Sequence, residues 1–227
     1  TKELLPTQLI EFLLSLDRAD VVDTLLVHVD RKSCDYIGNQ FQLSYVSQIQ
    51  LAFELYQKNL FEPQESDYEV LLQGLYESMF NQKQLSASLF FLKQFGVDDS
   101  TYSFLINAIK QHSREKDIVE QSAEFIIGFE PTEKIMEISL ELNAVSIVTN
   151  TMELHRNDKS TIEVLMKLMH FLSYYQPLDI CFVKTLSIPI IIDMAKNYSN
   201  CIEIMCSIFS NMVRDVNIAN YLVNLNI

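Results

Sequence analysis

The stretch Ser160-Thr161-Ile162-Glu163-Val164-Leu165-Met166-Lys167-Leu168-Met169-His170-Phe171-Leu172-Ser173-Tyr174 decides the reading of this chain. Val164, Leu165, Leu168, Met169 and Leu172 fall at i, i+1, i+4, i+5 and i+8, a wide apolar stripe on one side of a helix. Shifted by 40 residues, the stripe reads Ile204, Met205, Ile208, Phe209, Met212. Shifted back by 43, it reads Gln121, Ser122, Phe125, Ile126, Phe129, with the first two positions polar. The start of the helix recurs as well. A cap-type residue stands three before a glutamate at Ser66/Glu69, Asp117/Glu120, Ser160/Glu163 and Asn200/Glu203, at intervals of 51, 43 and 40 residues. A cap oxygen accepts from the third helical N–H and the glutamate reaches back to the cap, so each of these sites is expected to open a helix. Recurrence at this spacing marks a helical repeat array.

A second helix precedes each capped one. Ile190 to Lys196 aligns with Ile147 to Glu153 and with Phe104 to Lys110 at a strict 43 residues. Short polar stretches follow, Ser113 to Lys116, Asn157 to Lys159 and Ser199 to Asn200, and serve as turns into the capped helix. A short first helix completes the unit at Pro131 to Leu142, at Pro177 to Leu186 and, as a beginning, at Asp215 to Leu225. Proline suits the first turn of two of them, where its missing N–H has no intrahelical partner. Leu186-Ser187-Ile188 recurs as Leu225-Asn226-Ile227.

A unit of short, middle and long helix in about 40 residues, with Ile188-Pro189 opening the middle helix and Ser207-Ile208-Phe209-Ser210-Asn211-Met212-Val213 closing the long one, resembles the armadillo repeat. The resemblance covers residues 84–227. It implies an all-α fold, a right-handed α-solenoid of stacked three-helix repeats at about 63–97, 98–130, 131–174 and 175–213, with a further repeat starting at 214–227. Residues 63–227 and an atypical helical cap at 1–62 would form one continuous domain. The cap region carries helical patterning at 6–16, 19–30 and 41–61, and Pro63 to Glu65 interrupts it before Ser66. The chain departs from the family where paired glycines precede Ile-Pro: Asn143 and Ser187 stand near those places, and asparagine tolerates the left-handed conformation. The family's groove asparagine occurs once, at Asn211, with Gly128 and Phe171 at the matching positions, and tryptophan is absent. Peptide capture through an Asn/Trp ladder is therefore not expected.

Composition narrows the function. Of 227 residues, 48% are hydrophobic and only 4 are Gly and 5 Pro, which favours helices over a turn-rich β fold. A net charge of −13 opposes nucleic acid and anionic membrane and favours solubility or a basic partner. No apolar run reaches the length of a membrane span. Cys34, Cys181, Cys201 and Cys206 match no zinc spacing and read as small buried hydrophobes in a reducing compartment, cytoplasmic or nuclear. The chain begins without Met and ends within an apolar pattern, and is expected to be a segment of a longer protein.

No catalytic constellation emerges. The glycines are isolated, and His28, His112, His155 and His170 lack a His or Cys at helical ligand spacing. His112 with Glu115 and His155 with Asp158 fall at polar turns, and Cys34 with His28 has nothing to orient it. Asn197-Tyr198-Ser199 fits a glycosylation acceptor but reads more simply as a turn, and Asp98-Asp99 as a helix start. No enzyme, cofactor or metal is expected. The resemblance implies that the long helices line a groove for an extended or helical partner segment. Its side chains would be Lys167, His170, Phe171 and Tyr174, then Ser207, Ser210, Asn211 and Arg214, with Gln121, Glu124 and Gly128 on the preceding repeat. The expected function is a protein-binding scaffold or adaptor; the alternative is a self-associating structural module stacking through its apolar C-terminal end.

Overall fold

Helices account for every regular element in the computed structural model, which describes residues 68–77, 79, 82–92 and 99–224; no strand occurs among them. The expected cap at 1–62, its three helices and the start at Ser66 lie outside the described residues. The chain divides into two compact units between Gly96 and Val97.

The first unit contributes a helix pair, α1 (Tyr68–Glu77) packed on α2 (Gln82–Leu92), with Leu75, Leu85 and Leu89 buried. The second unit runs α3 (Asp99–Gln111), α4 (Lys116–Ile127), α5 (Glu133–Glu141), α6 (Ala144–Leu154), α7 (Lys159–Leu172), a 3-10 turn at Gln176–Leu178, α8 (Asp179–Lys184), α9 (Ser187–Asn197), a 3-10 turn at Ser199–Cys201, α10 (Ile202–Met212) and α11 (Val216–Asn224). Asp99 does open α3, and Asn197 to Ser199 forms the turn between α9 and α10.

Contacts within this unit repeat with the sequence. The middle helices follow one another, α3 against α6 and α6 against α9; so do the long helices, α4 against α7 and α7 against α10. The short helices form a third row, with α5 against the 3-10 turn ahead of α8, and α8 against α11. Burial keeps the same period: Tyr102, Val145 and Ile188 are all buried, as are Leu105, Val148 and Ile191, and Ile109, Met152 and Ala195. Each triplet steps by 43 residues along three successive middle helices. Burying an aliphatic side chain stabilises by about 1.5–3 kcal/mol, so these columns hold the unit together.

The break between the short and the middle helix repeats too. Asn143 (φ 55°, ψ 42°) and Leu186 (φ 58°, ψ 25°) are left-handed, 43 residues apart, each directly before a middle helix. Asparagine was expected at the first; at the second the residue is Leu186 and not Ser187. A leucine held there costs about 1–2 kcal/mol, because its Cβ crowds the following carbonyl.

The caps differ from expectation. α7 starts at Lys159, and its cap is Asp158, whose carboxylate accepts from the backbone N–H of Thr161 at 3.3 Å. α4 is preceded by Glu115, which makes no side-chain cap bond, and α10 by Cys201. Ser160 and Asp117 therefore sit inside the first turn, and Asn200 sits in a 3-10 turn. α4 and α7 thus start earlier than expected, since nothing in Lys116 or Lys159 stops the backbone from continuing, whereas α10 starts later, at Ile202.

Candidate protein-binding face

The glutamates of the recurring pattern tie successive long helices together. Glu120 on α4 accepts from the hydroxyls of Ser160 and Thr161 on α7, each at 2.8 Å. Glu163 on α7 accepts from the side-chain amide of Asn200, just ahead of α10. Lys116 donates to Asp158 at 2.8 Å beside the first of these. A second set lies at the preceding turns: the His155 Nε2 meets the Ser113 carbonyl at 2.8 Å, and 43 residues on, the Tyr198 hydroxyl donates to the Arg156 carbonyl at 2.8 Å. Arg156 also pairs with Asp193 at 2.9 Å. The spacing that looks like a cap motif in sequence is thus a register mark between neighbouring units.

These bonds set the charges. The Lys116 ammonium at Asp158, helped by the Ser160 hydroxyl and the Thr161 N–H, holds that carboxyl far below the usual range, while Asp158 raises Lys116. Lys167, 3.1 Å from Glu163, lowers the Glu163 carboxyl, with Asn200 acting in the same direction.

The expected site residues fall on α7, on α10 and on the turns that end them, as follows. Lys167 is exposed and paired with Glu163. His170 is half-buried; its ring lies 5.0 Å from that of Tyr174, which is 47% exposed, and burial lowers the His170 pKa. Ser207 and Ser210 are exposed, the Ser207 hydroxyl donating to the Glu203 carbonyl. Asn211 is half-buried between two partners: its amide N–H donates to the Ser173 hydroxyl at 2.9 Å, and its oxygen accepts from Arg214 at 3.0 Å. Glu124 on α4 and Gly128 at its C-cap are exposed, and Gln121 is half-buried.

Phe171 does not belong to this face. It is 5% exposed and packs in the core, as Leu165, Met169 and Leu172 do. The resemblance placed it on the open side, at the position that matches Asn211; the stripe on α7 is wider than the sequence reading drew it, taking in Ile162, Met166 and Phe171. The cysteines also divide: Cys201 is buried and Cys181 half-buried, both with thiol pKa raised by burial, but Cys206 is exposed. Cys34 and His28 lie outside the described residues.

Asp179 was not singled out by sequence. It is 2% exposed, neither carboxyl oxygen has a hydrogen-bond partner among the described groups, and burial pushes it up to about 7. Asp215 adds to the rise and Arg214 opposes it. The signal lay in the alignment of the short helices, where Met136 and Ile218 stand at the matching positions, both buried.

Among the described residues, no three His, Cys, Asp or Glu side chains gather as metal ligands, and no helix is long and apolar enough to cross a membrane. No protein-family model, no curated protein and no solved structure matches the chain.

Proposed function

We propose that this protein is a non-enzymatic scaffold or adaptor, an armadillo-like right-handed solenoid that binds a partner segment along its long helices. The observation that carries this reading is the agreement of three features in one period. Helix-to-helix contacts, buried columns and inter-unit hydrogen bonds all advance by about 37 to 43 residues. Units that cannot bury their apolar faces alone are stabilised by neighbours, which leaves one side of each long helix for recognition. That side carries Lys167, His170, Tyr174, Ser207, Asn211 and Arg214: an aromatic pair, cations and an amide. Such a mixture fits an amphipathic peptide or helix, and the net charge of −13 favours one with basic residues.

Quantitative affinity purification tests the reading. The chain carrying Lys167→Ala with Tyr174→Ala loses partner recovery relative to the wild type. A control with Glu133→Ala and Glu137→Ala, exposed on α5, keeps it. Equal recovery by both variants would rule out the long-helix face.

A further inference from the structure

Asp179 is enclosed between helices with nothing to bond, and the cation that acts on it is engaged elsewhere. It opens α8, which packs against α9, α6, the 3-10 turn ahead of it and α11. Both carboxyl oxygens are buried and make no hydrogen bond among the described groups, at a place where the units before and after hold Met136 and Ile218. The packed elements bring few charges. The 3-10 turn and α11 carry none, and Tyr221 is the titratable group of α11. α6 carries Glu153, α9 carries Asp193 and Lys196, and α8 itself carries Cys181 and Lys184. Asp193 is already paired with Arg156. Among the described residues, the charges that act on Asp179 are Asp215, which opposes its ionisation, and Arg214, which favours it; both lie in the turn between α10 and α11.

Arg214 is exposed, and its guanidinium is spent on the long-helix side. Its N–H donates to the Asn211 side-chain oxygen at 3.0 Å. The Asn211 amide donates to the Ser173 hydroxyl at 2.9 Å, and that hydroxyl donates to the His170 carbonyl at 2.7 Å. One chain of bonds therefore runs from Arg214 across to the end of α7. Asp215 accepts from the Asn217 N–H at 2.8 Å, at the start of α11, so it adds repulsion at Asp179 and no relief. An enclosed carboxylate without donor or counter-charge is strongly disfavoured; it keeps its proton or recruits a cation. A guanidinium bonds more strongly to a carboxylate than to a neutral amide oxygen.

We infer that Asp179 and Asn211 compete for Arg214: ionisation of Asp179 draws the guanidinium off the Asn211 oxygen and in between α8 and α11, and protonation returns it. Burial, with Asp215 adding to it, pushes the carboxyl up to about 7, so the exchange falls in the neutral range. Withdrawal takes a cation away from Asn211 and leaves the Asn211 oxygen open to an outside donor. The exchange is a property of the chain alone. That it tunes partner capture, favouring a basic segment in the ionised state, rests on the long-helix reading proposed above.

Nuclear magnetic resonance on the whole labelled chain, with no partner present, tests the exchange. It follows the Asp179 carboxyl carbon, the Asn211 side-chain amide and the Arg214 Nε–H from pH 5 to pH 8.5. All three titrate with one midpoint at about 7. In Asp179→Asn, the Asn211 and Arg214 signals lose that step. Competition also sets the sign of two further variants. Arg214→Gln raises the Asp179 midpoint, because the favouring cation is gone; Asn211→Ala lowers it, because the cation is released. The His170 ring, whose pKa burial lowers, gives a separate step at lower pH that persists in Asp179→Asn. Circular dichroism confirms that the variants fold. A titrating Asp179 with Asn211 and Arg214 unmoved overturns the proposal, because water and not Arg214 then meets the carboxylate. So do Asp179 midpoints that the two variants shift in the same direction or leave in place, and an Asp179 carboxyl that does not titrate in this range. Each of these results is independent of the partner-recovery test of Lys167 and Tyr174, so failure of one reading is distinct from failure of the other.

Discussion

Asp179 should make the protein less stable as pH rises from about 4 to 7, the reverse of ordinary acid denaturation. Its carboxyl sits 2% exposed with no hydrogen-bond partner among the described groups, in a row where the preceding and following units place Met136 and Ile218. Burial pushes the group up to about 7, with Asp215 reinforcing and Arg214 opposing. The unfolded chain titrates it near 3.9. Between those values the native state holds a proton that the unfolded state has released, so stability falls with pH by about 1.4 kcal/mol per unit. The full difference approaches 4 kcal/mol, and relaxation around the ionised group reduces it to about 2–4 kcal/mol. The stabilising, protonated state is complete below about pH 4 and its advantage is gone above about pH 7. Asp179→Met restores the residue type of the neighbouring unit and has no such slope. Urea unfolding at pH 5, 6, 7 and 8, expressed as Asp179→Met minus wild type, isolates this group from the histidines, which cancel in the difference. The variant gains stability progressively up to pH 7, and the gain then levels off. A difference that stays constant from pH 5 to pH 8 would refute the assignment of a buried, titrating carboxyl.

Three other outcomes follow from the packing. Phe171→Ala, at a core position, lowers stability by about 3–5 kcal/mol in chemical denaturation, whereas Tyr174→Ala changes it by less than about 0.5 kcal/mol. Leu186→Gly relieves a left-handed leucine and raises stability by up to about 1 kcal/mol, while Leu186→Ala does not; thermal unfolding distinguishes them. A double-mutant cycle on Glu120→Ala and Thr161→Val gives a coupling of about 0.5–1.5 kcal/mol, because the carboxylate and hydroxyl bond directly at 2.8 Å.

What sequence conveyed and what it hid divide along physical lines. Periodicity carried the helices and their order, because an amphipathic stripe must face a neighbour wherever that neighbour lies. The strict 43-residue step of the middle helices reappears in the fold as the buried columns through Tyr102, Leu105 and Ile109. The recurring glutamate was visible, but its partner was not. A cap and an inter-unit acceptor use the same residue types, and only the packing of α7 on α4 brings Glu120 to Ser160 and Thr161. Phe171 was misplaced because a single helix pattern cannot say how many neighbours flank it; α7 touches α4, α6 and α10, which widens its buried arc. Leu186 escaped notice because leucine seldom takes positive φ, and tertiary context overrides that preference here. Asp179 went unread because a carboxylate at a helix start resembles favourable dipole chemistry until its burial is known.

The central claim is that successive units pack in one register, and site-directed crosslinking measures that directly. Cysteines introduced as Glu120→Cys with Ser160→Cys, and as Glu163→Cys with Asn200→Cys, are treated with a short bis-maleimide and mapped by mass spectrometry. Both pairs crosslink rapidly within one chain, whereas Glu120→Cys with Asn200→Cys, two units apart, does not. Efficient linking of that third pair, or failure of either in-register pair, would contradict the account.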